Sequence, residues 1–273
     1  MFRILSNENI APQIFKMEIE APLVARKAGP GQFVMIRIDE QGERIPLTIA
    51  GHDSANITIA YQVVGVTTYR LREKEKGDAL SDVVGPLGHR SEIEKIGAVC
   101  CVGGGVGIAE LYPVAKAQKA IGNKVIGIIG ARNKELIIFK EELTKVCDDI
   151  FITTDDGSEG EKGFVSTVLK RLLDSAAGIG LVYAVGPAIM MKVVADLTRP
   201  YNVKTIVSLN SVLVDGTGMC GSCRVEVGKE TRFACVDGPE FDGHKVNFEE
   251  LMIRQSLFKE QESHACKIKG IKI

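Results

Sequence analysis

One stretch of the chain, residues 96–203, repeats a single pattern and limits the possible folds more than any other feature. Four times an apolar run leads into a turn and then into a helical segment. The apolar runs are 99–102, 124–129, 151–154 and 181–185, and the predicted helices end at 120 or span 141–146, 164–173 and 187–196. Strands that alternate with helices form a parallel sheet, which binds ligands at the carboxyl ends of its strands. We therefore predict an α/β domain with a ligand site at that edge.

The preceding residues, 1–95, predict a small antiparallel β barrel. Short β-rich runs are separated by turn residues such as Gly42 and Gly51, a spacing typical of barrels. We expect one helix here, at 67–75, because threonines open it and Gly77 closes it. The fold class is thus a β barrel plus an α/β domain.

The remaining residues, 204–273, form a third and smaller domain in this interpretation. A hairpin is predicted at 225–233, and a charged helical tail is predicted at 248–259. No low-complexity linker separates the three stretches, so the predicted domains, 1–95, 96–203 and 204–273, are expected to pack directly on one another.

Composition narrows the class of protein. The 273 residues carry a net charge of −1 and no tryptophan, which removes the basic footprint of a nucleic-acid binder. No apolar run is long enough to span a membrane, and the first residues lack the pattern of a secretion signal. We therefore expect a soluble cytoplasmic protein without nucleic-acid or membrane partners.

The cysteines point to metal chemistry in the third stretch. Seven cysteines without a secretion signal favour thiols or metal ligands over disulfides. Four residues reproduce the plant-type ferredoxin spacing, with aspartate in place of the first cysteine: Asp215, Cys220, Cys223 and Cys235. A [2Fe–2S] cluster is the leading hypothesis. A structural zinc site is the rival, Cys266 is an alternative fourth ligand, and Asp215 is alternatively a bystander.

The glycine turn after the first strand of the α/β domain predicts a pyrophosphate site. Gly103, Gly104, Gly105 and Gly107 stand between a strand and a helix, where backbone amides and the helix dipole favour an anion. The dinucleotide fingerprint is incomplete, since Glu110 stands where glycine or alanine is required. The alternative is a turn needed only for tight packing.

Other turns are predicted at the same edge of the sheet. Arg132 ends the second strand and either meets a phosphate, stacks on adenine or lies on the surface. Asp155 and Asp156 follow the third strand, where a solvated turn is the alternative. Gly186 and Pro187 follow the fourth strand.

In the barrel, two short segments offer groups for a flavin. Arg44 and Thr48 supply a cation and a hydroxyl on one strand, and Gly65 begins the predicted helix that contains Thr68. A phosphate held by Thr68 and Arg44, with the ring over 46–48, is one interpretation. Charged strand ends and capped helices are also commonplace.

Taken together, these motifs resemble the ferredoxin–NADP reductase superfamily in its arrangement with a carboxyl-terminal [2Fe–2S] domain. The resemblance spans essentially the whole chain. It depends on the segments 44–49, 65–68, 85–88, 103–107, 184–187 with Met190 and Met191, and 215–239. Two families of electron-transfer subunits are most similar. One is the small subunit of NADH-dependent ferredoxin:NADP oxidoreductase, also known as a sulfide dehydrogenase subunit, and the other is the electron-transfer subunit of dihydroorotate dehydrogenase.

The resemblance implies an FAD-binding barrel at 1–95, an NAD(P)-binding domain at 96–203 and a [2Fe–2S] domain at 204–273. It implies hydride transfer from NADH to FAD, followed by single-electron steps through the cluster. The candidate residues for FAD are Arg44, Pro46, Leu47, Thr48, Tyr61, Gly65, Thr67 and Thr68. Those for NAD(H) or NADP(H) are Gly103, Gly104, Gly105, Gly107, Arg132, Asp155, Asp156, Gly186, Pro187 and Met190.

The resemblance also implies a heterodimer with a large flavin and iron–sulfur subunit that serves ferredoxin and NADP. This chain departs from the superfamily at Ile45, where arginine is usual, with Arg44 one position earlier. Aspartate at position 215 is similar to the ferredoxin:NADP oxidoreductase subunit, whereas the dihydroorotate-type subunit normally has cysteine there. Two alternatives stay open: delivery of electrons between a dihydroorotate dehydrogenase core and NAD, and a zinc-stapled nucleotide sensor without flavin.

Overall fold

The first part of the chain is an antiparallel sheet that curls toward a barrel. The structure is a computed structural model that describes residues 1–175 and 178–271. The strands are β1 Phe2–Ala11, β2 Ile14–Glu20, β3 Phe33–Arg37, β4 Arg44–His52, β5 Asn56–Gln62, β6 Ala79–Leu80 and β7 Asp82–Leu87, and the helices are α1 Pro22–Ala25 and α2 Val66–Arg72.

The strand order β6-β1-β2-β5-β4-β3-β7 explains the curvature. The two edge strands, β6 and β7, are separated by one residue in sequence, so the sheet must bend until its edges meet. Alternating side chains of β2 and β5 point inward, because successive residues of a strand face opposite sides. Met17, Ile19, Ile57 and Ile59 are fully buried there. The predicted helix at 67–75 is α2.

The second part is the predicted parallel sheet with helices on its faces. Its strands are β8 Ala98–Gly104, β9 Lys124–Ala131, β10 Asp149–Thr154, β11 Glu161–Lys162, β12 Ile179–Val185 and β13 Lys204–Ser208, and its helices are α3 Ile108–Ala120, α4 Lys140–Val146, α5 Val165–Asp174 and α6 Ala188–Thr198. Every residue of β8 is buried, as expected of a central strand covered on both faces.

The strand order of this sheet is β11-β10-β9-β8-β12-β13, followed by a short antiparallel edge strand, β16 Glu240–Asp242. The chain leaves β8 in one direction toward β9 and later returns to its other side with β12. This reversal creates a crevice at the carboxyl ends of β8 and β12, where open α/β sheets bind their ligands.

The third part is a hairpin with a helical tail. β14 Arg224–Val227 and β15 Glu230–Phe233 pair antiparallel, which confirms the predicted hairpin. Gly228 and Lys229 both have positive φ, the backbone that a two-residue turn of type I′ requires. The tail forms α7 Phe248–Ser256 and α8 Lys259–Ile268. Because β13 and β16 both lie in the second sheet, the third part is interleaved with it, and the domain division at 203 stays a prediction.

Two apolar contacts join the parts. Ala50 and Ala60 of the barrel pack in one core with Ile108 and Ala109 of α3. The loop at 215–223 also packs against the barrel, since a Cβ atom on Gly216 would lie 2.8 Å from Met35 and 2.9 Å from Leu87. Among the described residues, no helix combines the length and the apolarity that a membrane span needs.

Candidate functional site

A cavity of about 530 Å³ lies in the predicted crevice of the second sheet. The turns after β8, β9, β10 and β12 line it together, since the carboxyl ends of parallel strands meet at one edge. Six of the residues predicted to bind the nucleotide are on its wall: Gly104, Gly105, Arg132, Asp155, Pro187 and Met190. The structure thus brings together side chains from four separate turns.

At two positions of this crevice, neighbouring atoms lie so close to the backbone that only glycine fits. A Cβ atom on Gly104 would lie 2.5 Å from Met190 Sδ. A Cβ atom on Gly107 would lie 2.9 Å from the Val185 carbonyl oxygen and 3.0 Å from Gly186 Cα. Gly107, Gly186 and the buried Gly103 therefore serve the packing of the turns, and Gly104 keeps the wall of the cavity free.

The two aspartates after β10 have different positions. Asp155 lines the cavity, whereas Asp156 accepts a hydrogen bond from the Ser158 amide at 2.9 Å. Hydrogen bonds from Ser158 lower the pKa of Asp156, so it is a charged residue that stabilises the turn. The Asp155 amide donates to the Ala131 carbonyl at 3.1 Å, which fixes this turn beside Arg132.

Several apolar residues of the cavity were not predicted as site residues, and three of them stand out. Phe164 precedes α5 with 67% of its surface exposed, and Ile189 on α6 is 56% exposed. Val106 adds a third apolar side chain from the first turn. An exposed aromatic ring in the cavity that Arg132 also lines suits the stacking of a nucleobase. The only signal in the sequence was an apolar residue directly after the turn glycine Gly163.

On the barrel, two predicted flavin residues, the exposed Arg44 and the partly exposed Thr67, are paired with acidic neighbours. Arg44 lies 3.4 Å from Asp82, and the Thr67 hydroxyl donates to Glu43 at 3.0 Å. Pairs of this kind near the surface are weak in water, so both groups can exchange partners. Pro46, Leu47 and Thr48 lie partly exposed on the same strand, β4.

The side chains of two other predicted flavin residues are held by hydrogen bonds or by stacking within the barrel. The Thr68 hydroxyl accepts hydrogen bonds from the Val64 and Gly65 amides and donates to the Gly65 carbonyl, and so fixes the first turn of α2. Tyr61 is buried in the barrel, where it stacks on Phe15 and donates to Asn7 at 3.0 Å. A contact of Tyr61 or Thr68 with a ligand would therefore involve their backbone atoms, and their roles stay predictions.

The predicted cluster ligands lie on one loop and at the end of the β14–β15 hairpin. Cys223 and Cys235 are buried with their sulfur atoms 3.2 Å apart, and Cys220 is exposed. Burial raises the pKa of Cys235, so a bound cation is needed to hold it as a thiolate. Arg254 on α7 donates to the Ser222 carbonyl at 2.8 Å and holds the loop against the tail.

Asp215 organises this loop in the structure. Its carboxylate accepts hydrogen bonds from the Cys220 amide at 2.8 Å and from the Thr217 hydroxyl at 3.0 Å. The Thr217 amide lowers the pKa of Asp215, which is therefore charged. Within residues 1–175 and 178–271, no three side chains of the ligating types converge on one point. The donor set still fits an iron–sulfur cluster, because the three thiols and the carboxylate share one loop and one hairpin end.

Two protein families match the chain at these sites. Residues 101–196 match the oxidoreductase NAD-binding domain. Residues 210–247 match the iron–sulfur cluster binding domain of dihydroorotate dehydrogenase B. The first range contains the cavity, and the second contains the four predicted cluster ligands.

Known proteins resemble nearly the whole chain. A protein of Thermotoga maritima, described as a homologue of the electron-transfer subunit of dihydroorotate dehydrogenase B, is 47% identical over 95% of this chain and 92% of its own length. The corresponding subunit of Caldanaerobacter subterraneus is 34% identical, with 90% and 97% covered. A solved chain of an NADH-dependent reduced ferredoxin–NADP oxidoreductase has 45% identity and a TM-score of 0.92, covering 98% of this chain and 97% of its own.

Proposed function

We propose that this chain oxidises NADH through FAD and a [2Fe–2S] cluster, since it belongs to the family of the electron-transfer subunit of dihydroorotate dehydrogenase B and its homologues. It is an oxidoreductase subunit with an NAD-binding domain and an iron–sulfur-binding domain. The observation that carries the proposal is their arrangement. One chain combines a nucleotide cavity in the second sheet with a cysteine loop that packs on the barrel.

NADH is the proposed ligand of the cavity. Its pyrophosphate would lie along Gly104 and Gly105, two residues without side chains, and a Cβ atom on Gly105 would meet nothing within 4 Å. Arg132 and Phe164 would hold the adenosine half, by charge and by stacking. Met190 and Pro187, which follow β12, line the same cavity next to Gly104.

FAD is the proposed ligand of the barrel. Arg44 and Thr67 would exchange their acidic partners for its phosphates, and Pro46 to Thr48 would lie along the isoalloxazine ring. When bound, FAD accepts hydride from NADH and passes electrons on singly to the cluster. The contribution of the chain is to hold the two nucleotides in one crevice, which the barrel closes with Ile14 and Gln62.

The cluster would be held by Cys220, Cys223 and Cys235, with Asp215 as the fourth ligand. Its loop contacts Met35 of the barrel, so the path for electrons from the flavin site is short. Asp215 already faces the Cys220 amide, and ligation by this carboxylate would require it to release one of its hydrogen bonds to the loop.

Members of this family are subunits of larger complexes, and so a larger catalytic partner is implied. The partner proposed here is a large subunit with further flavin and iron–sulfur centres that serves ferredoxin and NADP. Three exposed apolar side chains stand beside predicted cluster ligands in sequence and suit such a contact: Met219, Val214 and Val236 are 89%, 53% and 39% exposed. Apolar area of this kind around an electron-transfer loop favours a protein partner.

The second candidate is electron delivery between NAD and a dihydroorotate dehydrogenase core. The names of the relatives and the description of the matched cluster domain favour it. Aspartate at position 215 and the 45% identity to the ferredoxin–NADP oxidoreductase chain favour the first candidate.

Purification of the chain with its native partner distinguishes the two candidates. The proposal expects a large flavoprotein with iron–sulfur centres, and ferredoxin-dependent NADP reduction by the complex. Copurification of a dihydroorotate dehydrogenase core would refute it in favour of the second candidate. Met219→Glu should weaken the complex, while NADH–ferricyanide activity of the isolated chain stays unchanged.

A further inference from the structure

A hydrogen-bonded network of four polar side chains crosses the junction between the barrel and the second sheet. The Thr48 hydroxyl on β4 donates to Glu110 Oε2 at 3.1 Å. The Tyr183 hydroxyl on β12 lies 3.1 Å from Glu110 Oε1 and 2.9 Å from Glu240 Oε1. Glu110 is 7% exposed and Tyr183 is 2% exposed, whereas Glu240 and Thr48 are partly exposed at the two ends.

The number of protons that this network holds follows from its geometry. A tyrosine hydroxyl has one proton, yet two carboxylate oxygens lie within hydrogen-bond distance of the Tyr183 oxygen. If Glu110 and Glu240 were both ionised, one of these contacts would join two oxygens without a proton. One carboxyl group must therefore be protonated, so the pair shares a single proton across Tyr183.

We propose that Thr48, Glu110, Tyr183 and Glu240 form a proton-transfer path between the flavin site and solvent. This inference depends on the proposed function, which puts the isoalloxazine ring beside Thr48. Full reduction of FAD by NADH takes up one proton besides the hydride. Its reoxidation by one-electron acceptors releases two protons and two electrons. One proton of each process would use this path.

Each group along the path gains one proton and releases one proton. A proton that enters at Glu240 passes to the Tyr183 oxygen, and Tyr183 releases its own proton to Glu110 Oε1. The Glu110 carboxyl group then rotates so that this proton faces Thr48, and the proton passes to the Thr48 oxygen while the Thr48 hydroxyl releases its own proton to the flavin ring that the proposed function puts in the crevice. The reverse order returns a proton to solvent. No group on the path gains or loses electrons.

The surroundings favour one shared proton near neutral pH. Burial, with a smaller contribution from the nearby Glu110 and Glu92 charges, raises the pKa of Glu240 to about 7, against the hydrogen bonds from Ser91 and Tyr183. Burial also raises the pKa of Glu110, against hydrogen bonds from Ser208, Thr48 and Tyr183. Glu92 is exposed and lies 3.5 Å from Lys204.

The barrel leaves room for the outer carboxyl group. Gly31 has a φ of +77°, and a Cβ atom there would collide with both Glu240 Oε1 and Ser91 Oγ. The lack of a side chain at Gly31 thus lets the turn at 30–31 pack closely on Glu240, at the partly exposed end of the path.

Infrared spectroscopy of the full chain tests the shared proton without any reaction. At pH 7 the wild-type protein should show the carbonyl stretch of one protonated carboxyl group. Glu110→Gln and Glu240→Gln should each abolish this band, because the remaining carboxylate then accepts the Tyr183 proton alone. Glu75→Gln, at an exposed position, should leave it unchanged. A wild-type protein without the band, or a band that survives either network substitution, would overturn the proposal.

Kinetics of the FAD-loaded chain test the path itself. Tyr183→Phe should lower kcat for NADH–ferricyanide turnover by about tenfold or more, with KM for NADH and FAD content unchanged. Tyr201→Phe removes a tyrosine–carboxylate bond at the surface and should have no effect. An unchanged kcat in Tyr183→Phe would overturn the path. Wild-type protein that binds no FAD would instead refute the proposed function, and the infrared result would still decide the shared proton.

Discussion

Replacing Glu240 by glutamine should make the stability of this protein less dependent on pH. Burial raises the pKa of Glu240 from 4.5 to about 7. One pKa unit corresponds to about 1.4 kcal/mol, so this rise amounts to about 3 kcal/mol. The folded chain binds this proton more tightly than the unfolded chain. Its contribution to stability is therefore complete below pH 4.5 and is lost as the pH rises through about 7.

Urea unfolding of the holoprotein between pH 5 and pH 8 measures this contribution. Between pH 5 and pH 8, the wild type should lose about 2 kcal/mol of unfolding free energy that Glu240→Gln does not lose. The rest of the wild-type loss occurs below pH 5. Glu75→Gln is the matched control and should follow the wild-type curve. If Glu240→Gln also runs parallel to wild type, the pKa of Glu240 is not raised and the reasoning is refuted.

Three further substitutions test the separate sites. Cys223→Ser should abolish the cluster absorption and leave flavin reduction by NADH intact; loss of both cofactors would contradict independent sites. Gly104→Ala puts a Cβ atom 2.5 Å from Met190 Sδ and should raise KM for NADH about tenfold, whereas Gly51→Ala, with its nearest contact at 3.7 Å, should not. Phe164→Ala should weaken NADH binding about tenfold in a calorimetric titration with unchanged FAD content, since a stacked base contributes roughly 1–3 kcal/mol.

The parts of the fold with a local signal could be predicted from the sequence. The repeated strands and helices of 96–203 and the hairpin around Gly228 were confirmed, because periodicity and turn residues determine them locally. β16 could not be predicted. It has three residues, Glu240–Asp242, and becomes a strand only because β13 offers an unpaired edge. Tertiary pairing, which leaves no local pattern, decides such short strands.

In the candidate site, too, residues without a local sequence pattern could not be predicted. The turns that line the cavity were predicted from their positions after strands, whereas Phe164 had no distinguishing pattern. Glu110 counted only as a departure from the dinucleotide fingerprint. Its partners, Thr48 and Tyr183, are 62 and 73 residues away in sequence, so its hydrogen bonds could be found only in the structure. For Tyr61, the predicted flavin contact stays untested, since its side chain is buried in the barrel.

The visible absorption spectrum of the anaerobically purified chain, before and after addition of NADH, tests the central claim most directly. The account predicts flavin bands with additional broad [2Fe–2S] absorption, both bleached by NADH. A colourless protein that contains zinc would contradict it and would leave only a zinc-stapled nucleotide-binding protein.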